Sequence, residues 1–300
     1  MKVLVIGGNG FIGTHLVDRL IELKYDVRVL DRCAERLRQP LSQVEYQIGD
    51  YQDAKLSLAL EGVDCVFHLV STTVPGTSNQ DIPFDIHSNL IGSITLFQKM
   101  CEHGIKRIIF LSSGGTVYGE PHQPLVSEEH PLEPICSYGV VKVAIENYLR
   151  MFERLYGFQA VIIRPSNPYG PRQLANTGQG VIATFIDKVK KQSPIEVWGD
   201  GSVKRDFIYV TDLVNLIINA AESNKSITLN AASGYAISIN EIIQKLELVT
   251  NQNADVNYSG GRSFDVKEIA LDISKANSEL GWKPQVDIET GLRRMFNSIQ

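Results

Sequence analysis

The chain has 300 residues, of which 43% are hydrophobic and 21% are charged, and its net charge is −5 at pH 7. These values are typical of a globular protein, and without a block of Lys or Arg they argue against a nucleic-acid partner. No stretch approaches the roughly 18 consecutive apolar residues that a membrane-spanning helix needs. The four cysteines have no paired spacing, so we expect reduced thiols in a cytoplasmic protein rather than disulfides or a metal site.

Short apolar runs alternate with longer amphipathic stretches along the first half of the chain. The run KVLVI at 2–6 is typical of a buried strand, and residues 11–24 carry apolar side chains at helical spacing. Further strands are predicted at DVRVLD, VDCVFHLV, KRIIFLSS and QAVIIRP, and further helices at 88–103 and from Tyr138 onward. Strands that alternate with helices predict an α/β fold with a doubly wound parallel sheet, covered on both faces.

The character of the sequence changes after Pro165. Residues 166–205 are rich in Gly, Pro, Asn and Gln, which is typical of long loops that carry binding residues. Residues 206–232 return to strand and helix patterns, and the tail 233–300 contains further helical runs. We therefore expect a nucleotide-binding domain over 1–165, joined by 206–232, and a smaller substrate-binding lobe from the remaining segments.

Three glycines follow the first predicted strand and precede the first predicted helix. Gly7, Gly10 and Gly13 have the spacing Gly-x-x-Gly-x-x-Gly rather than the usual Gly-x-Gly-x-x-Gly. Glycine lets the backbone approach a pyrophosphate, and the helix start at Phe11 and Ile12 offers free N–H groups. A glycine turn occurs in many α/β proteins, but one that opens a strand–turn–helix–strand unit predicts a Rossmann-type dinucleotide site.

Acidic residues follow the next two predicted strands. Asp31 lies 18 residues after Gly13, where a carboxylate accepts the ribose hydroxyls of the cofactor's adenosine and repels a 2′-phosphate. This predicts NAD rather than NADP, although the guanidinium of Arg32 could accept the phosphate. Asp50 and Tyr51 follow the third strand and could face the adenine, but a strand-end turn would equally explain the carboxylate.

Tyr138 and Lys142 lie four residues apart, hence one turn apart on one face of a helix. A free tyrosine has a pKa of about 10 and is a poor base at neutral pH. A nearby ammonium group and a positive nicotinamide ring would lower that pKa, because they favour the phenolate. Tyr138 could then move a proton to or from a sugar hydroxyl while hydride moves to or from the cofactor, and Lys142 could also hold the nicotinamide ribose. Such a pair is common on helix surfaces, but its place after a dinucleotide turn makes it a catalytic candidate.

The motifs together carry a resemblance that none of them carries alone. The chain resembles the extended short-chain dehydrogenase/reductase family over nearly its whole length, in the order and spacing of GGNGFIG, VFHL, SSGGTVYG, SYGVVK, RPSNPYGPRQ, GDGSVKRDFIYVTDL and GGRSFD. Within that family it resembles the NAD-dependent nucleotide-sugar epimerases and dehydratases, above all the UDP-galactose 4-epimerases. The resemblance implies NAD as the cofactor and a UDP-sugar as the substrate. It also implies a homodimer, in which helices 88–103 and 138–156 form a four-helix interface.

The resemblance assigns roles to residues that follow the strand VFHL. Leu69, Ser71 and Thr72 would lie near the cofactor and the substrate. Asn89 would be a structural and catalytic asparagine, although a simple polar helix residue would look the same. His68 reads as a packed strand histidine rather than a proton shuttle.

The resemblance also assigns roles in the second lobe. Asn167 would contact the nucleotide pyrophosphate, and Arg205 and Arg262 would clamp the phosphates, for which a planar cation with several donors is suited. In the epimerases, the residue seven positions after the second arginine helps to set the room for the sugar's 2-substituent. That residue is Ile269 here, which predicts tolerance of N-acetylhexosamines unless Ile269 is simply part of the core.

Members of the family share oxidation to a keto sugar and differ in the step that follows. Dehydratases carry Asp-Glu directly before VYG, and sugar-acid decarboxylases carry Glu in the second position; this chain has Gly115 and Thr116 there. Without an acid in this loop, the predicted reaction is epimerisation at carbon 4 through a 4-keto intermediate. A nucleotide-sugar ketoreductase is the alternative. A dinucleotide sensor without catalysis is disfavoured by the retained Tyr138 and Lys142.

The hydroxyl that assists Tyr138 is a separate question. In the family, a Ser or Thr four residues before the tyrosine of VYG shares the sugar 4-hydroxyl with the catalytic tyrosine, and this position is Gly114 here. Thr116 would return to the same face if the stretch stays extended, whereas Ser113 would point away unless the glycines bend the chain. We therefore predict Thr116 as the helper, then Ser113, and lastly a water molecule.

Overall fold

A computed structural model of the protein describes residues 1–175, 180–260 and 267–298. The strands within these residues are β1 (Lys2–Ile6), β2 (Asp26–Asp31), β3 (Val44–Ile48), β4 (Cys65–His68), β5 (Arg107–Leu111), β6 (Leu125–Val126), β7 (Gln159–Pro165), β8 (Asn167–Tyr169), β9 (Ile195–Trp198), β10 (Lys204–Arg205), β11 (Phe207–Tyr209), β12 (Ile227–Ala231), β13 (Ile237–Ser238), β14 (Val256–Ser259) and β15 (Glu268–Leu271). The helices are α1 (Phe11–Glu22), α2 (Lys55–Leu60), α3 (Ile82–Asp85), α4 (Gly92–Glu102), α5 (Ser137–Tyr156), α6 (Val181–Lys190), α7 (Val210–Glu222), α8 (Ile239–Thr250), α9 (Ser274–Leu280) and α10 (Ile288–Ser298). A π-helical turn, Ile86–Ile91, joins α3 to α4.

The central sheet has seven parallel strands in the order β12-β7-β5-β4-β1-β2-β3. Nearly every side chain of β1, β4 and β5 is buried, which explains why these strands are continuous apolar runs rather than alternating patterns. The strand order reverses between β1 and β4, so the carboxyl ends of the strands open a crevice at that point. The predicted doubly wound parallel sheet is confirmed.

Helices bury their apolar stripes against both faces of this sheet. On one face α1 and α7 contribute Leu16, Leu20, Leu213 and Ile217 to the core. On the other face α2, α4 and α5 contribute Leu56, Leu96, Phe97, Ile145 and Leu149. None of the helices in the described residues is both long enough and apolar enough to cross a bilayer.

A smaller lobe is built mainly from the residues after β7. It contains the sheet β13-β10-β15-β6 and the parallel pairs β11-β8 and β14-β9. Its core lies among α6, α8 and α10 and includes Ile182, Ile186, Ile242, Leu246 and Leu292. The chain returns to the first lobe in between, since α7 packs against α1 and β12 is an edge strand of the seven-stranded sheet.

One buried carboxylate accepts hydrogen bonds from the segments in which the chain passes between the lobes. Asp206 lies between β10 and β11 and is 1% exposed. Its oxygens accept the backbone N–H groups of Ser233, Gly234 and Leu271 at 2.8, 3.1 and 3.3 Å. They also accept the hydroxyls of Ser166 and Ser233 at 3.2 and 2.8 Å. These donors follow β7 and β12 and end β15, so a single side chain ties together three segments of the boundary.

A buried ion pair joins the central sheet to α5. Arg164 on β7 and Glu146 on α5 form two hydrogen bonds, from Nε at 3.0 Å and from an Nη at 2.6 Å, and their side chains are 1% and 0% exposed. Glu146 also accepts the Ser112 hydroxyl at 2.6 Å. The other Nη of Arg164 donates to the Tyr118 hydroxyl at 3.0 Å, which in turn donates to Asn230 at 2.6 Å. Both charges are therefore fully hydrogen-bonded inside the protein, the condition under which a buried pair is tolerated.

We expect Arg164→Met to lower the free energy of unfolding by about 3–5 kcal/mol, because the substitution leaves the Glu146 carboxylate buried without its partner. Urea unfolding followed by circular dichroism measures this loss. Lys225→Met is the matched control, since it removes the exposed Lys225–Glu279 pair at 2.8 Å and should cost less than about 1 kcal/mol. Equal losses for the two variants would contradict the expectation.

Candidate active site

The glycine turn lies at the crevice between β1 and β4. Gly7 has a φ of 83°, and its N–H donates to the Leu30 carbonyl at 3.0 Å. A Cβ at Gly13 would collide with the Gly7 carbonyl oxygen, so the turn packs directly against α1. At Gly10 a Cβ would meet only that carbonyl, at 3.4 Å, and no side chain caps α1. The start of α1, at Phe11 and Ile12, is thus left open to a ligand such as a pyrophosphate.

Asp31 closes this turn from the end of β2. Its two carboxylate oxygens accept the backbone N–H groups of Asn9 and Cys33, each at 3.1 Å. Each oxygen keeps a second lone pair, with which the carboxylate can accept ribose hydroxyls. The cleft beside it has a volume of about 210 Å³ and is lined by Ile6, Gly7, Gly10, Leu30, Asp31, Arg32, Gly49, Tyr51, Leu69, Val70 and Ser71. Besides Asp31, six of the predicted cofactor-binding residues therefore line this cleft.

The two residues after β3 differ in their surroundings. Asp50 accepts the Gln52 N–H at 3.0 Å, so its carboxylate closes the strand-end turn that was the alternative explanation for it. Tyr51 is buried, and its hydroxyl donates to the Ser88 carbonyl at 2.5 Å. Burial raises the pKa of Tyr51, which therefore lines the cleft as a neutral ring.

The π-helical turn at 86–91 replaces the regular start of the helix predicted from residue 88. Its Asn89 is 4% exposed; Oδ1 accepts the Thr72 N–H at 2.9 Å, and Nδ2 donates to Asp85 at 2.8 Å. A π-helical turn is wider than an α-helical one, and such turns are frequent at functional sites. In this structure Asn89 holds the loop after β4, which carries Ser71 and Thr72.

Tyr138 and Lys142 face this loop from α5. The hydroxyls of Ser71 and Ser113 lie near the Tyr138 hydroxyl and act to lower its pKa. The Lys142 ammonium donates to the Leu111 carbonyl at 2.9 Å and lies 5.5 Å from the centroid of the Tyr138 ring. Residues from three separate predicted motifs therefore meet at one phenol.

Burial has the largest effect on the pKa values of this pair. It raises the pKa of Tyr138 to about 12. The nearby hydroxyls of Ser71 and Ser113 oppose this increase, and the charge of Asp85 adds to it. The predicted lowering requires the positive nicotinamide ring as well as Lys142 and stays a prediction. Burial also lowers the pKa of Lys142 to about 8, against the attraction of nearby carboxylates. At neutral pH Tyr138 is therefore a phenol and Lys142 is mostly protonated.

The stretch 111–119 bends sharply instead of staying extended. The Val117 N–H donates to the Ser113 carbonyl at 3.1 Å, which closes a turn of five residues. A Cβ at Gly114 would collide with the Leu271 side chain, so no larger residue fits at this position without displacing a neighbour. The hydroxyl that relatives carry at this position therefore has no room here.

This bend reverses the predicted order of the two candidate hydroxyls. The Ser113 hydroxyl lies near Tyr138 and acts to lower its pKa, whereas the buried Oγ1 of Thr116 has no hydrogen-bond partner among the described residues. The preference for Thr116 depended on an extended chain, and the turn removes that premise. The geometry favours Ser113, and the contact of either hydroxyl with a substrate stays a prediction.

The predicted substrate residues of the second lobe lie around Asp206. Asn167 donates through Nδ2 to the Asp206 carbonyl at 2.7 Å, and Arg205 precedes Asp206 in the chain. Ile269 is paired with Arg205 across two strands and is 5% exposed within a hydrophobic cluster, which indicates packing rather than a gate. Arg262 lies outside the described residues.

His68 is a packed histidine, as its strand pattern predicts. It is 1% exposed, and its Nε2 lies 2.9 Å from the Ser93 hydroxyl. Burial lowers its pKa to about 3, so it is neutral at physiological pH. In residues 1–175, 180–260 and 267–298, no three His, Cys, Asp or Glu side chains cluster as metal ligands would.

Sequence reasoning missed two buried carboxylates, Asp85 and Asp206. Asp85 lies four residues before Asn89, a spacing that places both on one side of a helix and could have drawn attention to it. Asp206 directly follows the predicted phosphate ligand Arg205. Neither signal distinguishes a buried carboxylate from an exposed one, because that difference arises only when distant segments meet.

Comparison with known proteins identifies the family of this chain. Residues 3–236 match the model of the NAD dependent epimerase/dehydratase family. A protein of Methanocaldococcus jannaschii is 38% identical over 299 residues, which cover 98% of this chain and 97% of that protein. The solved UDP-glucose 4-epimerase of Thermotoga maritima with UDP-glucose has a TM-score of 0.95 and 33% identity, with coverage of 99% of this chain and 98% of that one. The UDP-N-acetylglucosamine 4-epimerase of Methanobrevibacter ruminantium, in complex with UDP-N-acetylmuramic acid, has a TM-score of 0.93 and 32% identity, with coverage of 99% and 97%. The chain therefore belongs to the NAD dependent epimerase/dehydratase family.

Proposed function

We propose that this protein inverts carbon 4 of a UDP-sugar through a transient 4-keto intermediate, with NAD as its cofactor. The observation that carries the proposal is the setting of Tyr138, which lies beside the ammonium of Lys142 and near the hydroxyls of Ser71 and Ser113. The turn 113–119 contains no Asp or Glu, so it offers no acid for elimination or decarboxylation. Return of the hydride to the sugar is then the expected outcome. The two solved relatives are UDP-sugar 4-epimerases, which supports this choice.

The first lobe fits the cofactor. The uncapped start of α1 and the open face of Gly10 suit the pyrophosphate, and the Asp31 carboxylate at the cleft suits the adenosine ribose. We assign the nicotinamide ribose to Lys142, which lies beside Tyr138. When bound, NAD supplies the hydride acceptor.

Tyr138 holds or moves the proton in this proposal. As a phenolate it accepts the proton of the sugar 4-hydroxyl, and as a phenol it returns a proton to the keto oxygen. The ammonium of Lys142 and the nearby hydroxyls of Ser71 and Ser113 all favour the phenolate. The same side chain serves both half-reactions, because each reverses the other.

The second lobe receives the nucleotide and the sugar. We assign the phosphates to Asn167, Arg205 and Arg262, and a contact near the sugar to Thr72. A Cβ at Gly115 would meet no atom within 4 Å, so this part of the turn leaves free space. That space supports tolerance of N-acetyl sugars better than Ile269, whose side chain is buried.

Incubation of the protein with NAD and a panel of UDP-sugars tests the function. The panel contains UDP-glucose, UDP-galactose, their N-acetyl forms and UDP-glucuronic acid, and chromatography separates the 4-epimers. We expect two epimers to interconvert without net change in the redox state of the cofactor. Turnover that requires added NADH or NADPH would identify a ketoreductase, and no turnover of any sugar would contradict the proposal.

We expect Tyr138→Phe to lower kcat by about 10²–10⁴-fold, the usual contribution of general acid–base catalysis. Ser113→Ala should lower kcat by about tenfold, because it removes a nearby hydroxyl that favours the phenolate of Tyr138. Thr116→Val is the matched control and should change kcat by less than about twofold, since Oγ1 has no partner among the described residues. Steady-state rates at saturating substrate measure all three. If Thr116→Val lowers kcat and Ser113→Ala leaves kcat unchanged, the prediction that favours Thr116 would be right.

We expect tighter binding of NAD than of NADP, because the Asp31 carboxylate repels a 2′-phosphate. Isothermal titration of both cofactors measures the difference. Asp31→Asn should reduce it, whereas Asp50→Asn should not, since Asp50 serves its own turn. Equal affinity of the natural protein for the two cofactors would contradict the role of Asp31 and point to Arg32.

We propose that two copies associate through α4 and α5. On α5 the apolar side chains of Val140, Tyr148, Met151 and Leu155 are 53%, 37%, 38% and 65% exposed and follow helical spacing along one stripe. Sedimentation should give twice the chain mass of 33.3 kDa. Met151→Asp should shift it to the monomer, and Leu248→Asp on α8, 77% exposed, should not. A monomeric natural protein would contradict the proposal.

A further inference from the structure

Asp85 is a carboxylate with no exposed surface at the end of α3. Its oxygens accept three hydrogen bonds from side chains: from the Thr73 hydroxyl at 2.7 Å, the Asn89 amide at 2.8 Å and the Ser137 hydroxyl at 2.6 Å. The three donors are buried as well. A buried carboxylate is costly, and the three donors and the attraction of Lys142 make it tolerable here.

Each of these bonds fixes a part of the surroundings of Tyr138. Ser137 is the first residue of α5 and directly precedes Tyr138, and the N-cap residue of this helix provides no side-chain bond. The carbonyl of Thr73 accepts the hydroxyl of Ser71 at 3.2 Å, and Ser71 lies near the Tyr138 hydroxyl. Asp85 therefore holds the start of the helix that carries the phenol and the loop that lies beside it.

The bond to Asn89 has a further consequence. A carboxylate can only accept, so the amide of Asn89 must turn its NH₂ group towards Asp85. Its oxygen then points the other way and accepts the Thr72 N–H at 2.9 Å. The orientation of Asn89, and with it the position of Thr72, depends on the charge state of one side chain.

We propose that Asp85 is a positioning residue for the epimerase reaction, which holds Tyr138 and the 71–73 loop in the mutual geometry that proton transfer requires. Asp85 acts through Ser137, Thr73 and Asn89. The proposal rests on the proposed function, in which Tyr138 is the proton carrier.

The charges around Tyr138 give the proposal an electrostatic signature. Asp85 faces it from α3, Cys136 from the segment before α5 and Lys142 from α5, while His68 on β4 is neutral. Asp85 and Cys136 raise the pKa of Tyr138 beyond the effect of burial. Removal of the Asp85 charge with retention of shape should therefore lower the pKa of Tyr138.

The test compares Asp85→Asn and Asp85→Leu with the natural enzyme, all with NAD bound. Asn keeps the shape and can reverse its bond to Ser137, so we expect a pH–kcat profile displaced to lower pH. Leu removes all three bonds, and we expect kcat to fall by about 10–10²-fold at unchanged KM, the scale of a misplaced catalytic group. Asp212→Asn is the matched control: Asp212 is 2% exposed and accepts two backbone N–H groups far along the chain, so it should lose stability with an unchanged pH profile.

A second measurement is independent of any substrate. The phenolate absorption of Tyr138 is isolated as the difference between each protein and its Tyr138→Phe variant during a pH titration. We expect this titration to move to lower pH in Asp85→Asn. A folded Asp85→Asn with the natural titration and the natural pH–kcat profile would overturn the proposal. If no UDP-sugar turns over but the titration moves, the proposed reaction fails while the positioning of Tyr138 by Asp85 stands.

Discussion

The site depends on the Glu146 carboxylate, which is buried and cannot remain charged without its partners. Arg164 from β7 and the hydroxyl of Ser112 from the end of β5 supply them. Glu146 lies one helical turn beyond Lys142 and two beyond Tyr138, so the ion pair fixes the rotation of α5 about its own axis. A rotation by one residue, about 100°, would remove Tyr138 from the loop after β4. The ion pair therefore determines where the phenol points.

Buried charges of alternating sign run from α3 through α5 to β7. Asp85, Lys142, Glu146 and Arg164 follow one another along this path, and each attracts its neighbour. Burial lowers the pKa of Lys142, and the carboxylates of Glu146 and Asp85 oppose this decrease. Lys142 is therefore mostly protonated at neutral pH, and Tyr138 is a phenol.

The sequence predicted the features that follow from local chemistry. Gly7 lies in the turn before α1 and Gly13 in the first turn of α1, and a Cβ at either position would collide with a neighbour. Tyr138 and Lys142 share one face of α5, as their spacing predicts. The sequence was less informative where distant segments decide. The preference for Thr116 over Ser113 assumed an extended chain, whereas contact with Leu271 and the turn that begins at Ser113 bend the chain. Which of the two hydroxyls contacts a substrate stays a prediction.

The raised pKa of Tyr138 also depends on segments that are distant in the sequence. The Tyr–Lys spacing describes one neighbouring charge, but the number of atoms that exclude water from a side chain depends on the whole fold. The spacing of apolar residues also does not predict the π-helical turn at 86–91. A π-helix has only about one residue more per turn than an α-helix, and a single turn is too short to reveal the difference. It becomes understandable only when Asn89 is seen to bond both Asp85 and Thr72.

Asp206 has a mechanical consequence for how such a protein discriminates among sugars. Its carboxylate ties Ser166, Ser233, Gly234 and Leu271, which lie where the chain leaves or enters the second lobe. A hinge needs chain segments that can change their backbone angles independently, and segments bound to one buried charge cannot do so. Motion of one lobe against the other would have to break these hydrogen bonds, so we expect the fit to a sugar to come from the side chains and loops that border the cleft. Changes in those loops could alter the sugar preference while the hydrogen bonds to Asp206 at the boundary of the lobes are kept.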